Sequence, residues 1–507
     1  MTVLVFVRRF LTDYARNPVN VLLLVVVPVV FVVVVAASLA DFAKLLGGSG
    51  SAVQTVTAAW AAAFLAGIAM YFQIAATRDT DRRVVIAGFP ASRLVLARLL
   101  TGLALAVLAS ATALVALAAR TGIEDPVPVI AGTVMSAIIY LAIGATVGTV
   151  VRNPVNGTVI VLFVWILDVF FGPAIGATDR VATRGLPTHF VTLWMVGLPS
   201  GHSSHGGDLA WALAWTLTAV LASWAIVSAR TGRARGHARR QSRARTGQLV
   251  AASQMARRDA RRNPAQWALF VLVPVVFILG SVAVTPHKPI TVTLEEHGRR
   301  IAHSLPMPDV HAATMAPLAI ASLAALIGLF FLFDSRESDR RVALAGLRPN
   351  ALLGARLGVL TLTVLAATAV SVATVAQVFN ATRWLTYVAA SVLIAMTYAL
   401  VGALLARVFG RVGGVFMAFV LPFLDVGIVQ SPMLHPTPTT LATWLPGYGA
   451  SRVLLDGAFT SGFEETVPLL IGLGWLLVLG VGVALAYRHA IAPAAPAACA
   501  GSRRARR

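Results

Sequence analysis

The sequence contains little charge. Only 12% of its 507 residues are Asp, Glu, Lys or Arg, whereas 58% are hydrophobic and the mean hydropathy is +0.81. A soluble globule of this length needs more polar residues to cover its surface, so the composition excludes that class and places the chain in a bilayer.

Cysteine is also scarce, and a nucleotide-binding motif is absent. The single Cys499 excludes an intramolecular disulfide and any Cys-rich metal site. No stretch reads G-x-x-x-x-G-K-[ST], so the chain cannot cradle ATP phosphates in the usual way, and we predict no enzyme and no cofactor in this chain alone. We also predict no metal site, because no tight ligand spacing recurs among the histidines of the predicted outer loops, which are His202, His205, His287, His297, His303 and His311.

Long apolar segments dominate what is present. About twelve are long enough to cross roughly 30 Å of hydrocarbon, which predicts an all-α polytopic membrane protein. The predicted spans are 19–39, 54–76, 93–118, 127–150, 155–174, 209–229, 265–285, 312–333, 352–378, 384–406, 412–430 and 466–487.

The basic residues predict the orientation of these spans. With both termini in the cytoplasm, 32 of the 41 Lys and Arg residues lie inside and 9 lie outside, while 7 acidic residues lie inside and 11 outside. Basic residues near span ends stay preferentially on the cytoplasmic side. We therefore expect a multi-pass protein of the plasma membrane, and its net charge of +21 requires no nucleic-acid partner.

The chain contains an internal repeat. RNPVNVLLLVVVPVVF from Arg16 matches RNPAQWALFVLVPVVF from Arg262, and RDTDRRVVIAG (78–88) matches RESDRRVALAG (336–346). Six spans per half is an even number, so both halves enter the membrane from the same side, as parallel repeats. The predicted organisation is a first transmembrane half (1–229), a basic linker with a second interfacial helix (230–262), a second half (263–490) and a basic cytoplasmic tail (491–507). The linker and tail are expected to rest on anionic lipid headgroups.

Two kinds of short helix are predicted on the cytoplasmic side. Residues 1–16 place Val3, Phe6, Val7, Phe10, Leu11 and Tyr14 on one side at helical spacing, which is typical of a helix lying in the headgroup plane. The charged run 78–88 predicts a separate helix of about ten residues, with Thr77 as its N-cap and Gly88 as its left-handed stop. Ser335 and Gly346 hold the same places in the second copy.

These features together resemble the ABC-2 type (type V) ABC exporter permeases. Members of that family carry an N-terminal interfacial helix, six spans, and a coupling helix between the second and third spans that is followed by a basic residue, here Arg98 or Arg356. The resemblance covers nearly the whole chain as two fused halves, although the Gly-Thr of the family's charged cluster is replaced by Asp81-Arg82 and Asp339-Arg340. It implies that an ATPase subunit docks on each charged run, on Arg78, Asp79, Asp81, Arg82 and Arg83, and on Arg336, Glu337, Asp339, Arg340 and Arg341.

What the resemblance implies is a permease that exports a hydrophobic or amphipathic compound such as a drug, an antibiotic or a lipid. Two copies of a separate ATPase subunit would bind the ATP and Mg²⁺. The alternative is a twelve-helix secondary transporter driven by an ion gradient, which also has parallel six-span halves and a charged loop between spans two and three.

Residues on the two fifth spans are the predicted substrate pathway. Asp168 and Asp425 are acids near the outer ends of spans, and such residues are costly in the membrane unless they have a function or a partner. They either attract a cationic amphiphile or cap the broken segment that follows each fifth span. Aromatic side chains on the same spans either line an apolar cavity or fill packing positions, namely Phe163, Trp165, Phe170, Phe416, Phe419 and Phe423.

Overall fold

A computed structural model describes residues 2–16, 18–176, 178–232, 264–333 and 349–491. Within these residues, twelve helices are long and apolar enough to cross a membrane, which confirms the predicted all-α polytopic architecture. The helices that carry the spans are α2 (Pro18–Val30) with α3 (Ala36–Leu45), α4 (Gly50–Ile86), α5 (Ala91–Thr121), α6 (Pro126–Val150), α7 (Pro154–Phe171) with α8 (Pro173–Gly176), α10 (His205–Gly232), α11 (Pro264–Ala283), α12 (Met307–Phe333), α13 (Pro349–Val375), α14 (Trp384–Val408), α15 (Gly410–Pro422) and α17 (Thr466–Ile491).

Shorter elements complete the fold. Helix α1 (Thr2–Ala15) precedes the first span, and α9 (His189–Val196) and α16 (Tyr448–Phe459) follow the fifth span of each half. Two π-helical turns, Phe31–Val35 and Phe423–Val429, come just after a proline inside a helix, where the ring removes a backbone donor. The remaining short elements are the 3₁₀ turns Val181–Thr183 and Ala442–Trp444.

The stretch predicted as a loop at 286–311 contains the one departure from all-α structure in the described chain. Strands β1 (Pro289–Glu296) and β2 (Arg299–Pro306) pair as an antiparallel hairpin, whose turn places His297 and Gly298 at positive φ. We call the end of the bundle that carries this hairpin the hairpin end, and the opposite end, which carries Arg78, the basic end.

Within each half, the second span packs closely against the fourth. A Cβ added at Gly144 would lie 2.1 Å from the carbonyl oxygen of Gly67, and one added at Gly402 would lie 1.9 Å from that of Ala325. Only glycine allows the backbones to approach this closely, which is a common way for helices to associate in lipid. Gly144 and Gly402 hold equivalent positions in the repeat, so both halves use the same crossing.

The fifth span of each half packs against the first two spans of the other half. Helix α7 contacts α11 and α12, and α15 contacts α2 and α4. Small residues allow this approach, since a Cβ at Gly280 would meet the Phe171 ring at 2.6 Å and one at Gly413 would meet Leu23 at 2.1 Å. The reciprocal arrangement is that of parallel repeats related by an axis along the membrane normal.

The first charged run is not the separate helix that its sequence predicts. Helix α4 continues without interruption from Gly50 to Ile86, and the Thr77 hydroxyl bonds back to the Gln73 carbonyl instead of capping a new helix. The physical reason is that no glycine or proline occurs between Ile68 and Ala87. Gly88 does end the helix, at a φ of 97°. A helix of 37 residues is about 55 Å long, so its last turns extend beyond the hydrocarbon.

The glycine crossing yields a stability prediction. Gly402→Ala is expected to lower the free energy of unfolding by roughly 1–3 kcal/mol, because the new Cβ overlaps the α12 backbone. The matched control is Gly474→Ala, whose added Cβ meets nothing within 4 Å, and which we expect to be neutral or slightly stabilising. Denaturation of both variants in detergent provides the measurement. Equal stabilities would contradict the close crossing.

Candidate functional site

A buried ion pair joins the second and third spans at the basic end. The Arg98 guanidinium donates two hydrogen bonds to the Asp81 carboxylate, at 2.7 and 3.1 Å. Only 7% of the Arg98 side chain and 13% of the Asp81 side chain are exposed. The Thr77 hydroxyl lies 3.0 Å from the same carboxylate, and its single hydrogen is shared between that carboxylate and the Gln73 carbonyl. Because either charge would be left uncompensated without the other, this contact holds the end of α4 against α5.

The remaining charges of the first run divide into an inner and an outer set. Arg78 donates hydrogen bonds to the carbonyls of Gly148 and Val151, at the end of α6. Arg82 is half-buried, whereas Asp79 and Arg83 are exposed. Sequence reasoning had assigned all five charges of this run to one docking role. The second run, from Arg336 to Arg341, lies outside the described residues.

Helix α1 packs against the same region. The Phe10 ring covers Arg98, with 3.6 Å between the guanidinium carbon and the ring centroid, and Phe6 contacts Phe89 with centroids 4.9 Å apart. The predicted apolar side of α1 is half-buried, and its opposite side is exposed, with Leu4 and Val5 among the exposed residues. The interfacial helix therefore contacts the turn after α4 and the start of α5.

An apolar cavity lies between the halves. Its volume is about 40 Å³, which is room for only a few water molecules. We call it the inner cavity, and its walls come from α7 of the first half and from α11, α12, α15 and the following π turn of the second. Four of the predicted pathway residues line it, namely Phe163, Phe170, Phe419 and Phe423.

The other two predicted aromatic residues fill packing positions beside the inner cavity. The Trp165 indole donates to the Trp60 carbonyl at 2.9 Å and packs on Phe64, with ring centroids 5.0 Å apart. Phe416 contacts Phe64 from the other half, at 5.6 Å. The packing alternative therefore holds for these two residues.

The inner cavity has a filled counterpart. Its wall residue Ser322 occupies the repeat position of Phe64, at an offset of 258 residues. In the counterpart, between α15 and the first half, the large Phe64 ring occupies the space that the small Ser322 side chain leaves open. The duplicated framework is thus symmetric, but its interior is not.

Asp168 caps the broken segment of the first half. Its carboxylate accepts hydrogen bonds from the Thr188 amide at 3.3 Å and from the Thr188 hydroxyl at 2.6 Å. Thr188 is the residue just before α9, where backbone N–H groups lack helical partners and the helix dipole favours an acid. The Tyr140 hydroxyl supplies a third donor at 3.0 Å.

Asp425 does the same in the second half. It accepts hydrogen bonds from the Gly447 amide at 2.8 Å, the Tyr398 hydroxyl at 2.5 Å and the Gln430 amide at 3.1 Å. Gly447 precedes α16, and a Cβ there would lie 2.9 Å from both carboxylate oxygens. Both aspartates are buried, and neither lines the inner cavity. Of the two predicted roles, the geometry favours capping over the attraction of a cation.

A polar cluster holds the segment before α9 at the hairpin end. The Asp179 carboxylate pairs with Arg184 at 2.7 Å, His189 at 3.1 Å and His202 at 2.8 Å. The Arg184 guanidinium holds the pKa of the Asp179 carboxyl well below its usual range, whereas burial lowers the pKa of His189. The described residues contain no group of three or more His, Cys, Asp or Glu side chains suited to a metal ion.

Sequence reasoning missed the partners of the two aspartates and misplaced one histidine. Tyr140 and Tyr398 each begin a Tyr-x-x-x-Gly pattern, and their offset of 258 nearly equals the 257 between Asp168 and Asp425. That shared spacing was the available signal. His311, predicted in an outer loop, lies inside α12 and is 1% exposed.

No protein-family model matches this chain, and no curated protein matches it.

The capping role of Asp168 predicts a local loss of stability. Asp168→Ala leaves the Thr188 amide and hydroxyl without their acceptor, which is expected to cost roughly 1–3 kcal/mol and to speed hydrogen exchange of the α9 amides. The control is Asp41→Ala, which removes an exposed pair with Lys44 and is expected to cost under about 1 kcal/mol. Unchanged α9 exchange in Asp168→Ala would exclude the cap.

Proposed function

We propose that this chain is the transmembrane subunit of an ATP-driven exporter. It moves a hydrophobic or amphipathic compound, such as a drug, an antibiotic or a lipid, out of the cell. Two copies of a separate cytoplasmic ATPase subunit bind ATP and Mg²⁺ and supply the energy. The observation that carries the proposal is the charged end of α4, which is anchored on its inner side and free on its outer side.

The free side has the character of a docking face. Asp79, Arg83 and Ile86 follow one another at intervals of four and three residues, so they share one face of the helix. All three are exposed, and the apolar Ile86 side chain is 66% exposed. An exposed apolar residue beside two charges of opposite sign suits a protein partner better than it suits water. We call this set the docking face, and from the sequence repeat we expect a second one on the run that begins at Arg336.

The continuity of α4 provides a route for force. One end of this helix carries the docking face, and its buried middle carries Phe64, which contacts α15 of the other half. Closure of an ATPase dimer would push the two docking faces together and tilt the second spans as rigid bodies. The buried Arg98–Asp81 pair and the Arg78 anchors would transmit the same push to α5 and α6. Rigid-body rocking of one repeat against the other is the expected motion of such transporters.

The lining of the inner cavity supports the proposed class of cargo. Apart from Ser322, its named lining residues are apolar, and no charged side chain lines it. At about 40 Å³ it is too small for such a compound, so passage requires the halves to move apart. An apolar surface that opens in this way favours an apolar or amphipathic cargo over an ion or a sugar.

The orientation follows from the charges. The basic end faces the cytoplasm in this proposal, because 32 of the 41 basic residues then lie inside. Both termini and the docking faces would then lie on the side where ATP is available. The membrane is the plasma membrane, and its anionic lipids contact the basic linker and tail.

The docking face predicts an assembly defect. Arg83→Glu combined with Ile86→Asp is expected to weaken docking, because it reverses one charge and introduces another on the docking face. The measurement is the amount of ATP-hydrolysing subunit that co-purifies with tagged chain from solubilised native membranes, which is expected to fall by at least about tenfold. The control is Arg180→Glu, the same Arg-to-Glu reversal at an exposed residue of the hairpin end. Membrane insertion of all variants is compared by the yield of the folded, monodisperse chain.

Two outcomes would contradict the proposal. One is wild-type chain that brings down no ATP-hydrolysing subunit. The other is chain that, reconstituted alone, drives uptake under an ion gradient, which would establish the secondary transporter instead.

A further inference from the structure

A second cavity lies between the halves, nearer the hairpin end. Its volume is about 20 Å³. Phe42, Phe170 and Phe171 come from the first half, and Phe277, His311 and Met315 come from the second. We call it the outer cavity. The outer cavity adjoins the inner cavity, because Phe170 and Phe277 line both.

His311 is the one ionisable group among the residues that line the outer cavity. Its side chain is buried, and its Nδ1 lies 2.5 Å from the Thr285 hydroxyl oxygen. That hydroxyl has a single hydrogen, and it donates this hydrogen to the Ser281 carbonyl at 2.8 Å. The Ser281 carbonyl can only accept, so we assign the hydroxyl hydrogen to that bond. The Thr285 oxygen then accepts from His311, and the ring hydrogen lies on Nδ1.

The other ring nitrogen is left as an unused acceptor. In a neutral imidazole with hydrogen on Nδ1, Nε2 carries a lone pair. This Nε2 is fully buried and has no hydrogen-bond partner within the described residues. No carboxylate lines the cavity to compensate a charged ring, so the neutral form is the one that fits.

Packing alone does not require a histidine here. The repeat position of His311 in the first half is Val53, which is equally buried in its own half. Of the two equivalent positions, only the one in the second half carries a polar ring, and the same helix, α12, lines the inner cavity. Unsatisfied buried polar groups cost free energy, and those that persist are often functional.

We propose that the outer cavity is a subsite for the polar end of the transported compound, where His311 Nε2 accepts a hydrogen bond from an uncharged donor such as a phenolic or alcoholic hydroxyl. The aromatic body of the same compound would lie against Phe42, Phe170 and Phe277 and extend toward the inner cavity. This assignment rests on the proposed transport function. It excludes a cationic head group, because no carboxylate lines the outer cavity.

The two cavities are smaller than any such compound, so binding selects a conformation in which the halves have separated. In that conformation the Thr285 and Ser281 partners still belong to α11 and its C-terminal turn, in the same half as His311. The hydrogen bonds that keep Nε2 an acceptor therefore lie within the second half alone, and they are expected to persist when the halves separate.

The test compares two probes that differ only in the donor, 2-naphthol and 2-methoxynaphthalene. Their binding to the purified full chain in nanodiscs is measured by fluorescence, with empty nanodiscs subtracted. We expect wild-type chain to bind 2-naphthol about tenfold more tightly, the ratio that one hydrogen bond supplies.

Three variants test the role of the ring. His311→Phe is expected to remove the preference by weakening 2-naphthol alone, and His311→Gln, which keeps an acceptor, is expected to retain most of it. Thr285→Val frees the ring hydrogen to move to Nε2 and should reduce the preference without changing a cavity wall. His205→Phe, at an exposed histidine of the same end, is the control.

Equal affinity of wild-type chain for both probes, saturable binding of neither, or a preference that survives His311→Phe would each overturn the subsite. No ATPase is present in this measurement. Failure of the chain to assemble with an ATPase would therefore count against the proposed motor alone, and loss of the donor preference would count against the subsite alone.

Discussion

A buried carboxylate supports the interrupted backbone in each half of this protein. Membrane-embedded chains must satisfy every backbone polar group internally, and both halves break their helical path after the fifth span. Asp168 and Asp425 accept from the residue that precedes the next short helix, and a tyrosine of the fourth span donates to each carboxylate. The fourth span, the fifth span and the broken segment are thereby tied together. Since the fifth spans are the ones that enter the opposite half, the cavities between the halves depend on these two caps.

The two halves share a framework and differ in what fills it. The glycine crossing and the aspartate caps occur in both copies, because a change in either would leave a clash or an unpaired donor. The interface between the halves varies more. Phe64 and Ser322 hold equivalent positions in the repeat, as do Val53 and His311. One of two equivalent spaces is therefore open and carries a polar group. A duplicated chain can specialise in this way, whereas a dimer of identical subunits must keep both spaces alike.

The charged end of α4 has an anchored side and an exposed side. Its inner residues Arg78 and Asp81 bind α6 and α5, and its outer residues remain available to a partner. A separate short helix would need its own contacts to pass a push into the membrane. An uninterrupted helix needs no such contacts, because its continuous backbone hydrogen bonds join the charged end to the buried turn that carries Phe64. In the proposed exporter, the stiffness of one helix therefore replaces a jointed lever.

The sequence by itself determined the spans, the repeat and the amphipathic helix α1, because these depend on local composition and periodicity. It also identified Gly88 as a helix stop and four of the residues that line the inner cavity. Only the tertiary structure decided that the charged run continues α4, since a cap such as Thr77 competes with helix propagation. Only the tertiary structure distinguished the inner from the outer charges, paired Asp168 with Tyr140 and Thr188, and buried His311. These choices depend on which side chains meet across distant segments, and hydropathy carries no information about such partners.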